Sequence, residues 1–418
     1  MLNEDFGLNG KGTSNALDSI EMPRHRWYFY KEGFSPQLVK QAITDSELDN
    51  SALIIDPFNG SGTTTLTSSL LGYKSLGVEV NPFTSYLAQA KQLNAKTSKV
   101  FQEKDNLIES VQKGTASPLL EYSTFSELGK NEKWLFNSDV LNAFEGGWQY
   151  TNTIKSYHSK RVLRLALIIA AMNSCNAKRD GKCFRYRPTW KEKGLDASTF
   201  TNELLSILEI IENDLSSTKL SGQSTLIHGD IRKIAGRLND NQKFDLCVTS
   251  PPYVNTFDYT DIYRPELFLG KFIDGNEELY KQRLKTVRSH VQAKWKSPKK
   301  KDFGLMYRNS MEHLLNNKDK LMHKYIPEMV QAYFEDMENI LSKLLLKANP
   351  KANLWLVVSN SAYANKELPV DLILADIGCQ AGWKLREVGV LRYIRKRKTK
   401  YSPDIRQLRE SVVILTKE

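Results

Sequence analysis

DPFNGSGTTTLTSSLLGYKSLGVEVNP, residues 56–82, is the stretch whose reading decides the fold. Residues 52–55 before it are apolar and Asp56-Pro57 ends the run, so 51–57 reads as a short buried strand. Gly60 and Gly62 make a tight turn. Residues 63–71 suit a helix, with Gly72 as its C-terminal stop. Residues 74–80 form a second strand that brings Glu79 to its end, and Asn81-Pro82 opens another helix. Strand, Gly turn, helix, strand and acid is the layout of a parallel α/β nucleotide site. Small turn residues let a ligand approach the backbone closely. The turn lacks the GKS or GKT of a phosphate loop, which leaves ATP use unsupported, and it lacks GxGxxG. A ligand with an uncharged or zwitterionic middle fits better than a pyrophosphate. Glu79 is placed to accept hydrogen bonds from ribose hydroxyls.

Further strands follow the same pattern. TLIHGDIRKI (225–234) reads as a strand and turn, with Asp230 at the strand's end and suited to accept from an adenine amino group. FDLCVTSPPY (244–253) is a buried strand that must stop at Pro251, because proline cannot donate a ladder hydrogen bond. ANLWLVVSN (352–360) is another. WKLREVGVLRYI and LRESVVILTK give two final strands, an antiparallel finish. Residues 83 to 224 look mainly helical. The expected fold class is α/β: a Rossmann-like, doubly wound, mostly parallel seven-stranded sheet with an antiparallel final strand, plus helical insertions.

The 418 residues are 40% hydrophobic, enough for a full core, and the net charge of +11 favours a polyanionic partner. No apolar run reaches the roughly 18 residues of a membrane span. The start of the chain is polar and Gly-rich and reads as a loose arm, unlike a signal peptide. The four cysteines form no CxxC pair and the six histidines show no metal spacing. A reducing, cytoplasmic setting, with neither membrane nor metal as partner, fits this composition. Two basic runs stand out, KWKSPKKK (294–301) and RYIRKRKTKY (392–401). Both are short of acids, and both lie beyond strands that carry a site motif, which makes them candidates for phosphate contact.

Taken together, DPFNGSGTT, GVEVNP, HGDIRKI and TSPPY resemble the DNA methyltransferases that methylate exocyclic amino groups of cytosine or adenine with S-adenosylmethionine. RHRWYFYKEGFSPQLVKQAI (24–43) is similar to that family's additional cofactor motif and sets the cofactor half before the catalytic half. The resemblance implies that Asp56, Phe58, Gly60 and Gly62 line the methionine part of the cofactor, with Thr63 also in the cofactor-binding set. It also implies that Glu79 holds the ribose and Asp230 the adenine, with Ser35 and Pro36 as further partners.

Ser250, Pro251, Pro252 and Tyr253 would form the catalytic motif. An exocyclic amino nitrogen is a poor nucleophile because its lone pair is delocalised into the ring. Acceptors on its hydrogens, the Ser250 hydroxyl and the Pro251 carbonyl, would push it towards tetrahedral geometry, and the prolines would hold them fixed. Tyr253 would stack on a base flipped from double-stranded DNA. Methylation at carbon 5 of cytosine needs a Pro-Cys step, which the chain lacks; Cys247 reads as a buried small hydrophobe.

Within the family, serine before Pro-Pro leans to N4 of cytosine and an acid or asparagine to adenine. The expectation is thus a site-specific N4-cytosine enzyme of a restriction-modification or defence system, with a cognate endonuclease as partner. N6-adenine methylation of DNA and amino-group methylation of RNA are the alternatives. Lys299, Lys300 and Lys301, with Arg395, Lys396, Arg397 and Lys398, are the expected DNA-binding cations. The expected organisation is an N-terminal arm (1–24), a cofactor-binding half (25–94), a helical insertion (95–222), a catalytic motif region (223–263), a basic insertion (264–350) and the end of the sheet (351–418). Either insertion could read the target; 264–324 is favoured, since it leaves the active-site strand directly.

Overall fold

A computed structural model of the chain describes residues 2–7, 15–94, 96–181, 183–192, 194–237, 243–395 and 400–418. Its centre is one sheet of strands β1 (Leu2–Asn3), β2 (Leu53–Asp56), β3 (Lys74–Glu79), β4 (Ser224–His228), β5 (Phe244–Thr249), β6 (Ala348–Ser359), β7 (Lys384–Arg395) and β8 (Gln407–Thr416). The spatial order is β1-β7-β8-β6-β5-β2-β3-β4. Only β8 runs against its neighbours; every other pairing is parallel. The expected seven strands and antiparallel last strand are therefore present, and an eighth, two-residue strand joins the far edge.

That eighth strand corrects the reading of the chain start as a loose arm. Leu2 pairs with Val388 and Asn3 with Gly389, and Phe6 is buried against Trp355. Gly389 admits this because a side chain there would collide with the Phe6 ring.

The central strands are apolar on both faces, as a sheet covered on both sides requires. Ile54, Leu246, Val248, Trp355 and Val357 pack beneath helix Pro36–Asp45, while Ile55, Cys247, Leu354, Leu356 and Val358 face helices Ile326–Lys347 and Val370–Gln380. Helix Thr63–Leu70 is buried although rich in hydroxyls, because those hydroxyls find partners. Thr64 donates to the Val248 carbonyl, Ser68 to the Thr64 carbonyl, and Ser69 bonds Ser224. Residues 97–217 build a separate helical core that joins Phe83, Tyr263 and Phe268 beside the sheet. No helix among the described residues is long and apolar enough to cross a membrane.

Candidate active site

Chain order reverses between β2 and β5, which are neighbours. The Gly turn that follows β2 and the Ser-Pro-Pro-Tyr segment that follows β5 are therefore side by side at the carboxyl edge of the sheet, where open α/β sheets take ligands. A cavity of about 300 Å³ opens there. Phe58, Gly60, Thr63, Glu79, Asp230 and residues 250–253 all line it.

The turn is held by contacts that leave room for a ligand. Gly60 has φ +48° and Gly62 φ +89°, the left-handed region that favours glycine. A Cβ on Gly60 would stand 3.2 Å from the Tyr30 ring, which forms the opposite wall. Glu79 is half-buried and clasps the turn. Its Oε2 accepts the Gly60 N–H at 2.7 Å and its Oε1 the Asn81 N–H at 2.7 Å. Burial raises its pKa above the ordinary carboxylate range, against the pull of these bonds. Its carboxylate lines the cavity, where it can also accept from a vicinal diol. A narrow glycine cradle and a diol-accepting acid suit the adenosine and methionine portions of S-adenosylmethionine.

Asp230 is buried and ion-paired. Arg232 donates to it from Nε at 3.0 Å and from Nη2 at 2.9 Å, and reaches Asp336 at 3.1 Å and the Leu284 carbonyl at 3.1 Å. Arg288 grips Asp336 in turn. Gln282 donates to the Val80 carbonyl, so the helix Asn276–Arg283 covers the end of β3. Residues 285–287 then line the cavity beside Asp230 and Ile231. Sequence reasoning assigned none of these contacts: Arg232 is two residues from Asp230, but Leu284, Arg288 and Asp336, which complete the network, are more than fifty residues away.

The catalytic-motif residues have defined partners. Ser250 donates its hydroxyl proton to the Val357 carbonyl at 3.1 Å, which turns the oxygen's lone pairs to other uses. The Pro251 carbonyl accepts no hydrogen bond from any described residue. Tyr253 donates to Glu410 Oε1 at 2.8 Å, and Arg392 holds the other Glu410 oxygen at 2.7 Å. Glu410 and Arg392 also line the cavity and face each other in register on β8 and β7. Because β8 is antiparallel, its early residues reach the edge where the parallel strands end. Burial, and then Glu410, push the Tyr253 phenol well above its ordinary pKa, so it stays protonated.

Several expected residues stand outside the cavity wall. Asp56 is behind it, accepting from the Thr249 hydroxyl at 2.6 Å and from the Phe58 N–H at 3.0 Å. Gly62 is the residue that opens the helix Thr63–Leu70. Ser35 caps helix Pro36–Asp45 and donates to Asp18, so its hydroxyl and the first-turn Pro36 serve the helix; residues 30–34 line the cavity in their place. Cys247 is fully buried, and burial pushes its thiol well above the ordinary range. Among the basic residues, Lys299 and Lys300 give their backbone N–H groups to Glu335, and Lys300 pairs with Glu338. Lys301 and Arg395 are exposed; Lys396, Arg397 and Lys398 lie outside the described residues.

A family model described as DNA methylase, of the N6/N4 class, matches residues 11–91. The type II methyltransferase M.BsoBI of Geobacillus stearothermophilus is 28% identical, over 88% of this chain and 80% of that protein. The chain is thus similar to amino-methylating DNA methylases. M.AvaI of Nostoc sp. is 25% identical, again over 88% of this chain and 81% of its own length. M.MvaI of Kocuria varians is 22% identical over 84% and 80%. The methylase family match spans the Gly turn and Glu79, while the likeness to the curated relatives extends over most of the chain. No group of three or more potential metal ligands occurs among the described residues.

Proposed function

We propose that this methylase transfers a methyl group from S-adenosylmethionine to N4 of a cytosine turned out of duplex DNA at a specific site. The observation that carries the reading is the state of Ser250. Its hydroxyl donates to the Val357 carbonyl, so the oxygen would meet a ligand as an acceptor, next to Pro251 in the cavity wall. Two acceptors are what an amino group needs to lose its planarity. The bound cofactor would supply an electrophilic methyl group on sulfur. As the nitrogen gains its fourth bond, the methyl–sulfur bond would break with its electron pair left on sulfur as a thioether; the nitrogen would become cationic and then lose one of its hydrogens as a proton to solvent. No strong base is required, in keeping with the protonated Tyr253, whose ring would stack on the extruded base.

The family covers both cytosine and adenine amino targets; serine at position 250 favours cytosine. The relatives M.BsoBI and M.AvaI are type II methyltransferases, which supports a place in a restriction-modification system opposite a cognate endonuclease. The test is incorporation of labelled methyl from the cofactor into a duplex DNA library and, in parallel, into bulk RNA. Label in DNA alone is expected. Label in RNA alone would overturn the reading.

A further inference from the structure

The helical insertion sends one element to the mouth of the cavity. Strands Ala177–Asp180 and Cys183–Tyr186 form an antiparallel hairpin, and Gly181 at its turn lines the same cavity as Ser250. The two faces of this ribbon differ. On the inner face, Arg179 pairs with the fully buried Glu266, donates to the Ile262 carbonyl at 3.1 Å and lies 4.5 Å over the Tyr263 ring. Tyr263 stacks on Tyr30, a wall of the cavity. The hairpin is thus fastened to the helices that follow the catalytic motif.

The outer face is cationic. Lys178 and Arg185 stand directly opposite each other in register, and both are exposed. Like charges in that relation weaken a ribbon, and Asp180 pairs with Arg185. On the inner face, beside Phe184, half-buried Tyr186 packs tilted against Trp190, Trp190 meets Trp134 edge to face, and Lys133 and Lys191 lie over the Tyr186 and Trp190 rings. An exposed like-charged pair on a ribbon whose turn lines a base-sized cavity, and whose other face is backed by aromatic rings and further cations, matches a phosphate backbone.

We infer that this hairpin, in preference to the basic run at 294–301, grips the duplex next to the target base, with Lys178 and Arg185 on its phosphates. The inference rests on the DNA methylase reading above. The 294–301 run is less available, since its backbone is tied to Glu335 and Lys300 is spent on Glu338. Arg179 is a positioning residue and is left intact in the test.

The test compares full-length wild type, Lys178→Glu/Arg185→Glu and Lys299→Glu/Lys301→Glu for duplex binding across a salt series, with cofactor affinity and melting temperature as controls. The hairpin variant should bind DNA at least about tenfold more weakly, with a salt slope smaller by about two, and keep its cofactor affinity and melting temperature. The other variant should change less. A hairpin variant with wild-type affinity and slope, in a protein that methylates DNA, overturns this assignment and leaves the methylase reading standing. A wild type that transfers no methyl group to any duplex overturns both.

Discussion

Thr249 donates to Asp56 across 2.6 Å, and so joins the strand end that opens the Gly turn to the strand end that opens the catalytic motif. This buried bond adds to the strand pairing and to the Thr64–Val248 bond in setting the two halves of the site against each other. Asp56 is 1% exposed, and its burial pushes the carboxyl up from 3.8 to about 7.

A prediction about pH follows from that shift. With a folded value near 7 and an unfolded value near 4, the native state holds this proton more tightly. The contribution is fully present below about pH 4 and is lost as pH rises to about 7, at no more than about 1.4 kcal/mol per pH unit. Asp56→Asn keeps an oxygen for Thr249 and Phe58 but cannot ionise. Its stability relative to wild type, from denaturant unfolding, should improve between pH 5 and pH 8. An equal difference at both pH values would show that the site does not titrate this way.

On the proposed mechanism, Ser250→Ala would remove one of the two acceptors for the amino group and leave the Gly turn untouched. The turnover number should fall on the order of 10²-fold while cofactor affinity stays within about threefold. Single-turnover rates and calorimetric titration separate the two effects. Full activity in the alanine variant would remove Ser250 from the mechanism.

Tyr253 presents its ring through Glu410. Tyr253→Ala should cost about 1–3 kcal/mol of base stacking and weaken binding of the specific duplex accordingly. Tyr253→Phe keeps the ring but loses the bond to Glu410, so it should fall between wild type and alanine. A 2-aminopurine probe at the target base reads the flipped population directly. Equal signals from the alanine variant and wild type would count against stacking.

Arg232→Ala leaves the buried Asp230 carboxylate without its cation, whereas Asp336 keeps Arg288. Loss of one partner of such a pair costs on the order of 3 kcal/mol. Both melting temperature and cofactor affinity should drop, and Asp230→Asn in the same chain should recover part of the stability. No recovery would mean that the pair is not what holds this edge.

Much of this was legible in the chain. The strands around Glu79, Asp230 and Ser250 read correctly because each is a short apolar run stopped by an acid, a glycine or a proline, all local signals. Glu410 and Arg392 were not, because they sit in a strand pair that reads as ordinary sheet until the antiparallel reversal of β8 brings them to Tyr253. The role of Arg232 depends on Asp336, over a hundred residues away. β1 is two residues long and forms only because Gly7, Gly389 and Phe6 let the chain start lie against β7. The basic run at 294–301 looked free in sequence; its ties to Glu335 and Glu338 are visible only once helix Ile326–Lys347 is in place.

The central claim is that this site methylates an amino group of cytosine in DNA. The most direct measurement is sequencing of genomic DNA from cells expressing the protein, by a method that distinguishes 4-methylcytosine from 6-methyladenine. The account predicts 4-methylcytosine at one recurrent short sequence, absent when Ser250 is alanine. Recurrent 6-methyladenine without 4-methylcytosine would contradict it.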